Sequence, residues 1–436
     1  MTSLRVRSSL ASLALLAACS AGDDGENTDP GTSSAGQTGG STGSPTDGGS
    51  TGGETSAADT CGDGVLDPDE ICDPPGDGCD ATCNYVDRSL WTVTRGGPDR
   101  PTRIDDIAVD PAGRILVIGS TLEPSGDEWD PTSWLLALDA DGRELWQTKL
   151  PLEALDSYYP PHLAVDASGI YIQGYGVYRF SPSGAPDWYV WPAKRVFTTL
   201  TVADGAVYAG GVELGEYDSN SGSQQTQLVV HRLDAATGAS VWDFLLADDT
   251  IDSAATGVTV YGDRVFVVGA WSSRDDVSRG VVFLPMDAAT GAAGPPVLDT
   301  TLIYPFAAGA LPSGDLVLAA VGDGEQFVRR FEPGGAVRWT TAVEDQFALR
   351  DLAVGPDESL VVVGTLFSDV GPHGFLRALS GAGELTWSAG FAPGDPRDGV
   401  SLIGAAFGPD FLVVAGQDFR DPSGDGTGWI RRIDPQ

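Results

Sequence analysis

Basic residues, histidine and long apolar runs are all scarce in this chain, and each scarcity closes off a class of function. Lysine and arginine number 25 against 62 aspartates and glutamates, giving a formal net charge of −37. That balance disfavours nucleic acid as a partner, because phosphate contacts need a basic surface. Only His162, His231 and His373 are available, and each sits in or beside a strand-like run where a structural role is expected. No H-x-x-x-H or H-E-x-x-H pair occurs, so no metal-ligand set is complete. No apolar run approaches the roughly 20 residues that a spanning helix needs. The reading is a non-enzymatic protein with no resident cofactor.

What the first residues do hold is an export signal. Arg5 and Arg7 form a basic stretch, Leu10 to Leu16 an apolar one, and small residues follow. The end, Leu16-Ala17-Ala18-Cys19, resembles a bacterial lipobox. That resemblance implies cleavage of residues 1–18 and acylation of Cys19, whose several chains at about 0.8 kcal/mol per methylene anchor firmly. The implied address is the cell envelope, with the outer membrane expected. Residues 19–60 are Gly, Ser, Thr, Asp and Pro with almost nothing apolar, and read as a disordered tether. Its two G-x-S-x-G matches, at Ser41 and Ser50, lack the strand and helix that a nucleophile elbow requires.

Every other cysteine falls in 61–87: Cys61, Cys72, Cys79 and Cys83. Four clustered cysteines in an exported chain read as two disulfides, with three connectivities open. Zinc lacks its C-x-x-C spacing. The stretch CGDGVLDPDEICDPPGDGCDATC resembles a short Cys-rich repeat of myxobacterial exported proteins. Asp69 and the Pro74-Pro75 pair depart from its pattern, which leaves the disulfides intact and removes any claim to a shared ligand. Ca²⁺ is the candidate metal here, at Asp63, Asp67, Asp69 and Asp73. A solvated acidic knot accounts for the same residues.

From residue 88 onward the chain repeats. A tryptophan stands four residues after a turn glycine at Gly142–Trp146, Gly184–Trp188, Gly238–Trp242, Gly335–Trp339 and Gly383–Trp387. Each unit of roughly fifty residues holds four apolar runs, the period and strand count of a β-propeller blade. Seven such units occupy 88–436; six with an extra hairpin, or eight, are the alternatives. The seventh stops before its fourth strand, and Ser89–Thr94 with Trp91 supplies it, closing a three-plus-one clasp. The fold class is therefore all-β, a seven-bladed propeller. Pro295 replaces the fourth tryptophan and predicts a short or displaced outer strand there. The tryptophans themselves read as packing between blades.

The first-to-second and third-to-fourth turns are tight, and the remaining connections read as long loops gathered at one end. Loops on a rigid scaffold carry binding. The candidate face holds Trp129, Tyr158, Tyr159, Tyr217 and Trp271 on an acidic rim, suited to an envelope or extracellular protein, peptide or glycan.

The units LDAATGASVW and LDADGRELW are similar to the pyrroloquinoline-quinone-like propeller repeat, and DDIAVDPAGRILVIGST resembles the bacterial seven-bladed propeller repeat. The quinone enzymes also carry a disulfide of adjacent cysteines, and no cysteine follows Cys83, so the quinone is not carried over. The nearer analogue is the propeller lipoprotein of the outer-membrane barrel assembly machinery, a scaffold. Alternatives are a lyase or hydrolase using loop carboxylates, or a quinone-dependent redox propeller.

Overall fold

The structure, a computed structural model, describes residues 86–97, 100–125, 128–151, 161–192, 194–218, 223–274, 277–322, 325–343, 347–368, 371–391, 399–419 and 426–434. The chain divides into two compact units, 1–60 with 216–224, and 61–215 with 225–436. The seven blades belong to the second. Within the first, the only described residues continue two strands of the third blade.

The strand β1 (Ser89–Gly96) precedes seven repeats. Blade 1 is β2 (Thr102–Val109), β3 (Ile115–Ser125), β4 (Glu128–Leu138) and β5 (Glu144–Lys149). Blade 2 is β6 (His162–Val165), β7 (Ile170–Gln173), β8 (Val177–Phe180) and β9 (Pro186–Val190). Blade 3 is β10 (Arg195–Ala203), β11 (Ala206–Asp218), β12 (Ser223–Asp234) and β13 (Ser240–Leu245). Blade 4 is β14 (Ile251–Tyr261), β15 (Arg264–Ser273), β16 (Arg279–Asp287) and β17 (Val297–Asp299). Blade 5 is β18 (Tyr304–Ala310), β19 (Leu316–Gly322), β20 (Glu325–Phe331) and β21 (Val337–Val343). Blade 6 is β22 (Phe347–Val354), β23 (Leu360–Ser368), β24 (Gly371–Leu379) and β25 (Leu385–Phe391). Blade 7 is β26 (Gly399–Phe407), β27 (Leu412–Phe419) and β28 (Gly426–Ile433), completed by β1.

All seven sheets have four strands, and the clasp forms as its sequence predicts. β1 runs antiparallel to β28 from Ser89 opposite Ile433 to Gly96 opposite Thr427. The Asp434 amide donates to the Arg88 carbonyl, and Arg431 pairs with Asp87 at 3.1 Å, which ties the start of the clasp strand to the end of β28. Each inner strand packs on the next, from β2 through β6, β10, β14, β18 and β22 to β26, which returns to β2. The ring is closed.

The core is divided into seven apolar layers, one in each gap between blades. Second strands are covered on both faces, so β7 and β15 read as continuous apolar runs rather than alternating ones. Outer strands are more exposed, with the tryptophan among the partly buried positions, as in β5 and β13.

The Gly–Trp spacing has a structural cause. Each outer-strand indole lies under the third-to-fourth turn of the following blade. Trp91, Trp188, Trp242 and Trp339 donate from Nε1 to the carbonyls of Ala140, Ala235, Ala288 and Gly381 at 3.1–3.2 Å. The turn glycines Gly142, Gly184, Gly238, Gly291 and Gly383 all have positive φ, and a Cβ there would come within 2.6–3.0 Å of the ring beneath. Glycine is thus required twice, by backbone conformation and by the indole. Two places differ. The outer strand of blade 4 has no indole and shrinks to three residues, and Gly335 of blade 5 meets only Val297 Cγ2 at 3.8 Å. Over Trp387 lies instead the Arg88 guanidinium, 5.0 Å from the ring.

Candidate functional site

Second-to-third connections and the links between blades meet at one end of the ring, as expected, but most of the former are not loops. Glu123–Ser125 pairs with Glu128–Asp130 as strand, with Glu123 opposite Asp130 and Pro124 opposite Trp129. Polar residues that lie beyond the inter-blade layers still complete their ladder, because backbone groups need partners whatever the side chain. Blade 2 departs in the other direction. Its β7 and β8 have four residues each, against eleven each for β3 and β4, and only Gly174 to Gly176 joins them.

The truncation uncovers aromatic surface. Tyr189 stacks on the buried Tyr178, with ring centroids 4.1 Å apart and planes 21° apart, yet stays 42% exposed. Trp191, two residues further along the same strand direction, is 68% exposed, and Tyr175 in the short turn is 40% exposed. Gly176 lets the turn approach: a Cβ there would lie 2.2 Å from the Val190 carbonyl oxygen and 2.8 Å from the Tyr189 ring. Tyr175 and Trp191 belong to the loop end because Val177 pairs with Val190 beside them.

Of the five aromatics expected on this face, Trp271 is in β15 and only 7% exposed, within the layer between blades 3 and 4. An exposed ring is therefore not found there; the run from Val265 to Trp271 is covered on both sides. Trp129 and Tyr217 lie on β4 and β11, their side chains outside the described residues. Tyr158 and Tyr159 also lie outside, as do Cys19, the tether, Cys61, Cys72, Cys79, Cys83 and the acidic candidates Asp63, Asp67, Asp69 and Asp73. Near the clasp, a cleft of about 530 Å³ is lined by Arg95, Arg100, Thr102, Glu123 and Trp134.

A second constellation lies in the channel. Every inner strand except β6 carries a β-bulge at one level. Bulges re-aim side chains. The residues that follow it, with the aligned start of β6, are Asp106, His162, Thr199, Gly257, Ala307, Asp351 and Gly404. Three can ionise, in blades 1, 2 and 6. Asp106 accepts from Ile107 N and from Leu163 N of blade 2, both at 2.7 Å. Asp351 accepts from Leu352 N at 2.7 Å and from Ala405 N of blade 7 at 3.0 Å. Each carboxyl therefore ties its blade to the next.

Burial pushes the Asp106 carboxyl well above the usual range, and repulsion from Asp351 and Asp105 adds to this against its two amide donors. Burial also raises Asp351, opposed by the Ala405 and Leu352 amides. Asp105 rises to about 6 through burial, with Arg103 opposing. His162 Nδ1 is 3.7 Å from Asp106 Oδ2, beyond hydrogen-bond reach. Burial lowers the imidazole to about 4, although its side chain keeps 44% exposure to the channel. A wall residue of a narrow passage is reached by water yet surrounded by protein.

These shifts give opposite contributions to stability. Asp106 and Asp351, raised on folding, contribute stability below the usual aspartate value, lost as pH rises through their folded values. His162, lowered on folding, contributes stability above its usual value, lost as pH falls toward about 4. Asp351→Asn is expected to flatten the loss on the alkaline side. Urea unfolding of both proteins from acid to alkaline pH measures it; equal slopes would refute the carboxyl's part.

Comparison with known proteins agrees with the fold. Residues 131–293, from blade 1 into blade 4, match the family model described as outer membrane protein assembly factor BamB. No curated protein sequence matches the chain. Among solved structures, catalytically inactive virginiamycin B lyase from Staphylococcus aureus with quinupristin superposes with TM-score 0.53 at 11% identity, covering 78% of this chain and 99% of that one. Raptor from Chaetomium thermophilum gives TM-score 0.52 at 10% identity, covering 80% of this chain and 29% of that one. At such identities the likeness is one of fold. The chain is a seven-bladed β-propeller, and within it residues 131–293 resemble the BamB-like repeat.

Proposed function

We propose that this chain is a lipid-anchored, non-enzymatic binding propeller of the bacterial envelope, which holds a protein partner at its loop end. The observation that carries the reading is the aromatic surface of blade 2, where Tyr175, Tyr189 and Trp191 stand exposed beside the longer strands of blade 1. Tryptophan and tyrosine anchor interfaces because they bury much area at little entropic cost. Two features support the proposed address: the resemblance of Leu16-Ala17-Ala18-Cys19 to a lipobox, and the match of residues 131–293 to the assembly-factor model. Among the described residues no helix is long and apolar enough to cross a membrane.

A second reading, a lyase or hydrolase, draws on the raised carboxyls of Asp106 and Asp351, since perturbed groups cluster at catalytic sites. It is the weaker of the two. Both carboxyls are engaged by backbone amides, and His162 stands too far from Asp106 to relay a proton directly.

A photocrosslinking residue in place of Pro192, beside an intact Trp191, is expected to trap a defined partner in intact cells, and one in place of Leu385 on the outer edge of blade 6 is not. Identical products from both positions, or none from either, would overturn the docking surface.

A further inference from the structure

The gap between blades 4 and 5 is built like the other six and lacks one part. Each of the other inter-blade layers is closed toward the rim by a tryptophan: Trp91, Trp146, Trp188, Trp242, Trp339 or Trp387. The layer between blades 4 and 5 contains none. Pro295 stands in the tryptophan position, and the chain ahead of β17 holds only one bridge, from Ala293 to Met286.

The turn that an indole would support is nevertheless formed. In Glu332-Pro333-Gly334-Gly335, the Gly335 amide donates to the Glu332 carbonyl at 2.8 Å and the Glu332 amide to the Ala336 carbonyl at 2.7 Å. Ser380-Gly381-Ala382-Gly383 of blade 6 makes the same two bonds, both at 2.8 Å, and φ is +84° at Gly383 against +87° at Gly335. The Gly381 carbonyl accepts from the Trp339 indole at 3.1 Å. In blade 5 the Pro333 carbonyl holds that place, and no donor reaches it among the described residues. Proline is compatible with a ring beneath. Blade 2 has Pro182 two residues before Gly184, and a Cβ on Gly184 would meet the Trp146 ring at 2.6 Å.

The side wall is also in place. At Gly238 a Cβ would meet the Trp188 ring at 2.8 Å and Val190 Cγ2 at 3.1 Å. Val297 stands where Val190 does, two residues beyond the tryptophan position. Its Cγ2, at 3.8 Å, is the only neighbour of a Cβ on Gly335 within 4 Å. The wall is present and the ring is missing. The surfaces that a ring would cover are open: Pro333 and Gly334 are exposed, and Val297 is 42% exposed, whereas Gly184, Gly238 and Gly383 are buried over their indoles.

We propose that this hollow on the rim binds an indole, presented as the tryptophan side chain of a partner protein. The ring lies against Gly335 and Val297 and donates from Nε1 to the Pro333 carbonyl, as Trp339 donates to Gly381. The six native indoles all remain partly exposed, so the hollow covers too little of a ring to hold a free molecule firmly. A ring carried on a polypeptide gains from the partner's other contacts. The site is separate from the aromatic surface of blade 2 and does not depend on it.

Fluorine NMR of N-acetyl-5-fluorotryptophan amide, titrated with the purified full chain, tests this. Saturable binding is expected, with a dissociation constant of about 1–10 mM for a single ring. Methylation of the probe's indole nitrogen is expected to weaken binding about fivefold, because the bond to Pro333 is lost. Val297→Trp places an indole of the chain's own in the hollow and is expected to weaken binding about tenfold or more. No saturable binding up to about 20 mM probe would overturn the proposal. Undiminished binding by Val297→Trp, or equal binding of the methylated probe, would do the same. Loss of binding in Trp191→Ala would assign the probe to blade 2 and also overturn it. Binding of 5-fluoroindole without binding of the amide would assign the hollow to a free ring and overturn the partner. If Val297→Trp fails to fold, the methylated probe and Trp191→Ala still decide.

Discussion

A chain that begins at Gly97, and so lacks β1, is expected to lose cooperative unfolding and to self-associate, whereas one that begins at Val86 stays monomeric. β1 contributes the whole outer strand of blade 7, pairing along β28 from Ser89 to Gly96. Trp91 and Val93 pack into the layer between blades 7 and 1, and the Trp91 indole bonds the Ala140 carbonyl. Burial of two large side chains and loss of a strand's hydrogen bonds together amount to about 5 kcal/mol or more. That is a large share of the stability of an ordinary domain. The same deletion bares the edge of β28, a template for pairing with another chain. Size-exclusion chromatography and urea unfolding of the two proteins give the answer. A Gly97 chain that melts like the Val86 chain would mean that the ring closes without its clasp.

The second large effect is expected at a glycine. Gly383→Ala should cost about 2–5 kcal/mol, combining a left-handed backbone with a clash. Its φ is +84°, and a Cβ would meet Trp339 at 2.7 Å. Gly335→Ala provides the internal control, because φ is +87° but only Val297 Cγ2 approaches, at 3.8 Å. That substitution should cost the backbone term alone, about 1–2 kcal/mol. Denaturant midpoints of the pair measure the difference. Equal losses would show that the indoles do not determine these turns.

The same contact explains how much of the fold was legible in the sequence. An indole under a positive-φ glycine writes the blade period into the chain. Trp91 could then be matched to the missing strand, and Pro295 marked blade 4 as irregular, as β17 with three residues bears out. The faces of the ring were harder to read. Glu123–Ser125 and Glu128–Asp130 looked like a loop because strands outside the inter-blade layers need no apolar alternation, yet they pair. Trp271 looked exposed because a second strand covered on both sides carries no alternation to reveal which residues are inside.

The channel was hidden for a different reason. Asp106 and Asp351 are two carboxylates among 62 acidic residues, and pairs of that kind carry no information in such a composition. Aligning I-D-D-I-A-V-D with L-R-D-L-A-V-G and P-H-L-A-V-D would have placed Asp106, Asp351 and His162 at one position of the inner strand. Their raised and lowered pKa values depend on closure of the ring, which no single blade encodes. Trp191 and Tyr175 were missed because their exposure follows from the brevity of β7 and β8, a length set by two glycines flanking one residue.

The repeat builds the ring, and binding is assigned to residues that break the repeat. Trp191→Ala and Trp242→Ala, measured side by side for melting temperature and for partner capture in intact cells, separate these roles most directly. Trp191→Ala is expected to keep its melting temperature and lose capture. Trp242→Ala, which removes the bond to Ala288 and the support beneath Gly291, is expected to lose about 3 kcal/mol of stability. A Trp191→Ala protein that captures its partner undiminished would contradict the assignment.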